Sequence, residues 1–448
     1  MSSDISQKLA KFVCDTNLSD IPEEVIDFAK GLLLKTVAGM VVGSTMPSGR
    51  KLVNLIKMKK LTEDAVVLGS GFKTGLWESV LLNAFFAHAS ELEDDSFEGG
   101  VSWDITVIPL LFPLAQFLRS SGKNLLEALV LGLEVHSRTC SVATNQLGLV
   151  VVPGAVGPAA GAAKLMGLDE TETQAAMGLA LSSPAVTIFN FGTDAHYLES
   201  ALQSLQGVVA AEMAKEKMTS NPLIEDYFIK LVGKENVNLE KMVEQLKEKW
   251  FFKNIGVKKY PCCYFNQRQI DVMLEIKNKY NLSIEDIEKV EVHASPADEP
   301  CNRGKPKNLG DLQFSFQHVL ASAILDGDVN FSHFDESILK NSRYADAWRK
   351  IEVIIHPDWP NILMKAPAKI IVKTKKGKEI SGERAYPIGS PQEPLSKDQY
   401  IKLFGKFTKN ILSVPQIENA VQNLTNLENL ADIGKISDIL TYLLNSRT

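Results

Sequence analysis

VPGAVGPAAGAAKLMGL, residues 152–168, is the stretch on which the reading of the chain turns. Alanine and glycine dominate it, and no charge falls between Pro153 and Lys164. A helix of such small residues fills little space itself. It lets neighbouring backbones come close, which suits the centre of a helical domain. DETETQAAMGLALSS follows at 169–183, with Asp169 where an N-cap belongs and Glu172 three residues later, the reciprocal pattern of a capping box. A third run, 192–217, also reads as helix. Between the second and third lies SSPAVTIFNFGTDAHYLES, a breaker-rich polar loop carrying His196. Small-residue helices feeding one polar loop look like a scaffold that presents a site.

Outward from this centre, apolar spacing predicts helices over 4–12, 22–42, 48–58, 79–93, 108–119 and 125–142. AVVLGSG at 65–71 reads as an ordered link rather than a strand. Beyond Lys217, short amphipathic helices are expected at 222–232 and 239–249, and a helix is expected to start near Phe265. IEKVEVHAS and KIEVIIHPD alternate like strands, and KIIVKTKKGKEISGERAY reads as a hairpin around Lys376-Gly377. From Ser396 the pattern returns to helix as far as Leu444. The fold class expected is mainly α with an α+β part. The expected arrangement is a discontinuous helical domain, 1–263 with 396–448, and a smaller α+β domain, 264–395.

The formal net charge of −6 carries no basic stripe and argues against general nucleic-acid binding. Five cysteines (Cys14, Cys140, Cys262, Cys263, Cys301) form no CxxC and no iron–sulfur ligand set, so packed thiols are the expectation even for adjacent Cys262 and Cys263. No run reaches membrane-spanning length, and the compartment expected is the cytoplasm. There is no P-loop, no GxGxxG after a strand, no HExxH and no GxSxG.

Three clusters carry chemistry. HASELEDDSFEGG, 88–100, places His88, Glu91, Glu93, Asp94 and Asp95 at a helix end; His88 and Glu91, three apart, are expected on one face. Carboxylates at a helix C-terminus oppose the macrodipole, so the cluster calls for a cation or for water. Asp104, in SWDITVIP, sits where an N-cap is the commoner role. KKYPCCYFNQRQ gathers Lys258, Lys259, Tyr260, Tyr264, Gln267 and Arg268 around Pro261, a set suited to an anion or to a solvated face. These readings reach a soluble helical protein with an α+β insert and an anion site. They do not reach a reaction.

AHASELEDD, PGAVGPAAGAAKLMGLDETETQAAMGLALS, GTDAHYLESALQSLQGVVAAEMA, KKYPCCYFNQRQID and YPIGSPQEPLS, in that order, resemble successive blocks of the MmgE/PrpD family. That family holds 2-methylcitrate dehydratase, cis-aconitate decarboxylase and iminodisuccinate epimerase. The resemblance implies a large helical domain with a smaller α+β lid, a homodimer, no cofactor, no metal, and a small carboxylate substrate. It implies neither nucleic acid nor membrane as a partner. Positions that resemble family histidines hold Ser102 and Val151, the family lysine is His196, and Glu199 follows it. The catalytic set this implies is His196, Tyr264, Asp104 and Glu91. The substrate-binding set is Lys258, Arg268, Gln267, Trp103 and Asp94. The reaction expected first is proton abstraction beside a carboxylate by a lyase of dehydratase or decarboxylase type. The alternatives are an epimerase of a dicarboxylate-like substrate, and a family member that binds without turnover.

Overall fold

The computed structural model describes residues 4–96, 102–142, 149–151, 154–182, 186–187, 190, 192–362, 364–437 and 439–440. The fold is mainly α with an α+β part, and the chain divides into two units, Met1–Ile255 with Ser396–Thr448, and Gly256–Leu395.

The first unit runs through α1 (Ile5–Asp15), α2 (Glu23–Gly43), α3 (Pro47–Lys57), β1 (Ala65–Val67), β2 (Phe72–Thr74), α4 (Leu76–Ala89), α5 (Asp104–Phe117) and α6 (Gly122–Cys140). It continues with β3 (Leu149–Val151), α7 (Val156–Met166), α8 (Glu170–Ala180), β4 (Val186–Thr187), α9 (Asp194–Lys215) and α10 (Ile224–Val232). Helix α2 is central, with every residue from Gly31 to Gly43 buried. The small residues of α7 do what their size allows: a Cβ on Gly132 of α6 would lie 3.2 Å from the Gly161 Cα. Helix α8 starts as its sequence dictates. Asp169 Oδ1 accepts the Glu172 N–H and Glu172 Oε2 accepts the Asp169 N–H, both at 2.8 Å.

Four local expectations change. The link at 65–71 is half of a hairpin, Ala65 pairing Thr74 and Val67 pairing Phe72, because Gly69 and Gly71 supply the positive φ angles of the turn. Helix α4 stops at Ala89, four residues early; Glu91 has φ 54°, so it does not share a helical face with His88. Helix α5 begins at Asp104, four residues before the expected start. Residues 239–249 form a short 3-10 turn, Leu239–Met242, and further turns instead of a helix. Their carbonyls are drawn elsewhere: the Arg138 guanidinium donates to Glu244 O (2.8 Å) and Lys249 O (2.7 Å).

The second unit holds α11 (Tyr264–Tyr280), β5 (Ile287–Ala294), α12 (Leu309–Gln313), α13 (Phe316–Asp326), α14 (Ser342–Trp348), β6 (Ile351–Ile355), β7 (Ala368–Thr374) and β8 (Glu379–Arg384). The sheet order is β6-β5-β7-β8, with β5 and β6 parallel (Val290 opposite Ile351) and the other pairs antiparallel. Strand β7 alternates buried and half-buried residues, as period 2 requires, and its inner face packs with Ile270, Met273, Phe316 and Leu320 of α11 and α13. The hairpin at Lys376-Gly377 turns through Gly377 at φ 76°.

After this unit the chain adds α15 (Lys397–Thr408) and α16 (Val414–Thr425) to the helical one. Tyr400 of α15 lies on α2 where only a glycine fits, since a Cβ on Gly31 would come within 2.7 Å of Tyr400 Cδ2. The helix expected up to Leu444 falls partly outside the described residues. Among the described residues no helix is long and apolar enough to cross a membrane.

Candidate active site

The end of α4 and the start of α9 bring two histidines together. His196, expected in a loop, lies in the first turn of α9, which begins at Asp194 after Gly192 takes φ 78°. Its ring meets that of His88 with centroids 4.4 Å apart and planes at 64°. Both residues are buried. His196 Nδ1–H donates to Glu199 Oε2 at 2.9 Å, and Glu199 Oε1 in turn accepts the Asn190 side-chain amide at 2.6 Å. His88 Nδ1 lies 2.9 Å from Ser200 Oγ. The Ser200 hydroxyl also reaches Tyr197 O at 3.1 Å. With its Nδ1 proton on the Glu199 carboxylate, His196 has Nε2 as its proton-accepting nitrogen. Tyr197 completes the wall, edge-on to Phe85 and to His88.

One turn along α9, Ser204 Oγ donates to Thr106 O at 2.8 Å, which ties this site to the first turns of α5. Gln203, on the same face of α9 by helical spacing, is buried, and its amide has no partner among the described residues. The buried Trp103 indole N–H likewise has none.

The acidic turn finds its cation inside the protein. Lys35, in the middle of α2, donates to Leu92 O and to Asp94 Oδ1. Asp104 is not an N-cap; it is the first residue of α5 and turns back, Oδ1 accepting the Asp94 N–H (3.1 Å) and Oδ2 the Thr36 hydroxyl (3.0 Å). Burial pushes the Asp104 carboxyl up to about 6, with Lys35 and Thr36 opposing the rise and Glu93 adding to it. Glu91, Glu93 and Asp94 are all buried. Ser102 donates to Asp95 Oδ1 at 3.2 Å. Val151 lies in β3, and its side chain is outside the described residues.

In the α+β unit, Lys258, Tyr264, Gln267 and Arg268 are all buried. The Gln267 amide is fully engaged with its own turn: Oε1 accepts the N–H groups of Lys259 (3.0 Å) and Tyr260 (3.1 Å), and Nε2 donates to Tyr260 O and Cys262 O. Arg268 Nη1 donates to Ala366 O (2.6 Å) and Ala385 O (3.3 Å), and Nη2 lies 3.6 Å from Asp298. Asp271 joins two blocks far apart in sequence. Its Oδ1 accepts from Lys259 Nζ (2.8 Å) and the Tyr260 hydroxyl (2.9 Å), and its Oδ2 accepts the Ile388 N–H (2.8 Å).

The structure thus groups His196 with His88, Glu199 and Ser200, and groups Asp94 with Asp104 and Lys35. Lys258, Tyr264, Gln267 and Arg268 belong to the other unit. Sequence reasoning singled out His88 only as part of the acidic cluster, and did not nominate Lys35, Glu199 or Ser200 for the site. Glu199 and Ser200 stand three and four residues from His196, a signal that becomes visible once α9 is started at Asp194.

Comparison with known proteins supplies the rest. The MmgE/PrpD N-terminal domain matches residues 7–227, and the MmgE/PrpD C-terminal domain matches residues 260–427. The chain is 22% identical to the cis-aconitate decarboxylase of Homo sapiens, over 98% of this chain and 95% of that one. It is 21% identical to the cis-aconitate decarboxylase of Aspergillus terreus, over 98% and 96%. The cis-aconitate decarboxylase-like protein oryM of Aspergillus oryzae is also 21% identical, over 98% and 97%.

Proposed function

We propose that this chain, which belongs to the MmgE/PrpD family, is a lyase that removes a proton from the carbon beside a carboxylate of a small polycarboxylate. The observation that carries the reading is the His88–His196 pair, two buried imidazoles in ring contact, with Nδ1 of His196 on a carboxylate and Nδ1 of His88 on a hydroxyl. A carboxylate on Nδ1–H orients His196 and stabilises the imidazolium that forms when Nε2 takes a proton. Imidazole, with an ordinary value of ~6.5, does this near neutrality without the large shift a lysine needs.

In this reading His196 is the base and His88 the second proton carrier. Asp104 and Glu91, proposed as catalytic from sequence, and Asp94 and Trp103, proposed as binding residues, lie from the end of α4 to the start of α5, where Asp94 and Asp104 are joined to Lys35 and Thr36 of α2. Lys258 and Tyr264, expected from sequence to bind carboxylate and to donate a proton, lie in the α+β unit, where Gln267 shapes its own turn and Arg268 ties α11 to the Ala366 and Ala385 carbonyls. The relatives named cis-aconitate decarboxylase favour release of carbon dioxide over inversion as the outcome.

The test follows proton loss directly. Each of cis-aconitate, 2-methylcitrate and tricarballylate is incubated with the protein in deuterium oxide, and exchange of carbon-bound hydrogen is followed by proton NMR beside carbon dioxide release. Exchange that is lost in His196→Gln supports the reading. Calorimetric binding of these acids with no exchange in any of them identifies a binding protein instead.

A further inference from the structure

Lys35 is the one cation found buried in α2, and it stands among Leu32, Leu33, Leu34 and Val37. A side chain of that length without charge would pack there at no desolvation penalty, whereas an ammonium requires partners. The Lys35 ammonium donates to Leu92 O and Asp94 Oδ1, which lie on the turn that follows α4. The next residue of α2, Thr36, reaches the same turn by a second route: its hydroxyl donates to Asp104 Oδ2 while Asp104 Oδ1 accepts the Asp94 N–H. Two consecutive residues of one helix thus hold the 92–94 backbone from two directions. His88 precedes this turn by four residues, on the last turn of α4.

We propose that Lys35 is a positioning residue: through Leu92 and Asp94 it sets the path of the chain leaving α4, and so the placement of His88 against His196. The inference rests on the reading of that histidine pair as the reacting site. The groups that act on the buried cluster are Lys35, Asp94, Asp104 and Glu93, together with the Tyr400 phenol from α15.

The test needs no substrate. Full-length wild type, Lys35→Met and Lys35→Met/Asp94→Asn are compared by thermal melting at pH 5 and pH 7.5, and by 1H–13C spectra of the histidine rings, assigned with His88→Gln and His196→Gln. Lys35→Met removes the positive charge that faces Asp94 and Asp104, so its melting temperature is expected to fall by roughly 10 °C at pH 7.5 and less at pH 5, where protonation relieves the buried charge. The double variant removes the stranded charge on Asp94 and is expected to recover most of the loss. In both variants the His88 and His196 signals are expected to move away from their wild-type positions.

Histidine signals in the double variant that coincide with wild type overturn the proposal, because the turn is then placed without the ion pair. An equal melting loss at both pH values also overturns it. Should Lys35→Met fail to fold at pH 7.5, the double variant and the pH 5 spectra still decide. A wild-type protein with no exchange on any acid refutes the lyase reading while leaving these spectra to be judged on their own.

Discussion

His88 and His196 meet ring to ring at 4.4 Å although 108 positions separate them in the chain, and the hydroxyl and carboxylate that orient them, Ser200 and Glu199, are neighbours on α9. Two imidazoles held by different partners, a hydroxyl and a carboxylate, have separate tasks in the proposed reaction, and single substitutions distinguish them.

His196→Gln is expected to lower turnover of the true substrate by ~10²–10⁴-fold, the usual range for an acid–base group, with little change in melting temperature. His88→Gln is expected to fall in the same range. Steady-state rates and a melting curve on each variant check both at once; a variant that loses stability and keeps its rate marks its histidine as packing only.

Turnover of cis-aconitate or 2-methylcitrate is expected to be slow, because Ser102 and Val151 stand where the family resemblance places histidines. Loss of such groups commonly lowers rates by ~10²–10⁴-fold. Carbon dioxide release and dehydration assays on the two acids measure this, and rates typical of the family would falsify the expectation.

Between pH 4 and 6 two buried groups act on stability with opposite signs and are expected nearly to cancel. Asp104 is raised in the fold from 3.8 to about 6 by burial, an interval worth roughly 3 kcal/mol; its contribution is present below pH 4 and lost as pH rises through 6. His136 is held down at about 3 by burial, so the fold loses stability as pH falls from 6.5. In denaturant titrations from pH 4 to 8, Asp104→Asn should make stability rise more steeply between pH 4 and 6, and His136→Leu should make it fall over the same window. Curves unchanged by both substitutions would show that neither group governs the profile.

Glu134→Gln is expected to cost about 3–5 kcal/mol, as breaking a fully buried ion pair does. Glu134 accepts from Arg138 Nε at 2.6 Å and from the N–H groups of Phe251 and Phe252 at 3.1 Å, so it fixes the segment whose carbonyls Arg138 collects. The exposed Lys8–Asp4 pair is the control, since Asp4→Ala there is expected to change stability by less than about 1 kcal/mol. Equal losses in the two variants, read by chemical denaturation, would contradict the distinction.

What the sequence made legible follows the range of the forces involved. The Asp169–Glu172 box, the Lys376-Gly377 hairpin and the alternation of β7 are decided by residues a few positions apart, and each is found where its pattern places it. The end of α4 was not legible, because the group that collects Leu92 and Asp94 is Lys35, more than 55 residues earlier. The turns at 239–249 have helical periodicity, yet their carbonyls are claimed by Arg138. The same holds for the site. His196 stood out by its place in a family block, whereas His88 acquires its meaning from a ring that only the folded chain brings near. For the cations of the KKYP block, nothing local shows that Asp271 takes the ammonium of Lys259.

The Gly31–Tyr400 fit carries a consequence for how the protein is made. At about 5–20 residues per second, some 370 residues separate the two in synthesis, or roughly 20–70 s on the ribosome. Through that interval the notch in α2 stays unfilled, while the whole of Gly256–Leu395 has emerged and can fold. The nascent helical unit therefore keeps the Gly31 notch of α2 uncovered until Tyr400 of α15 arrives, and a stop codon ahead of α15 would leave it bare.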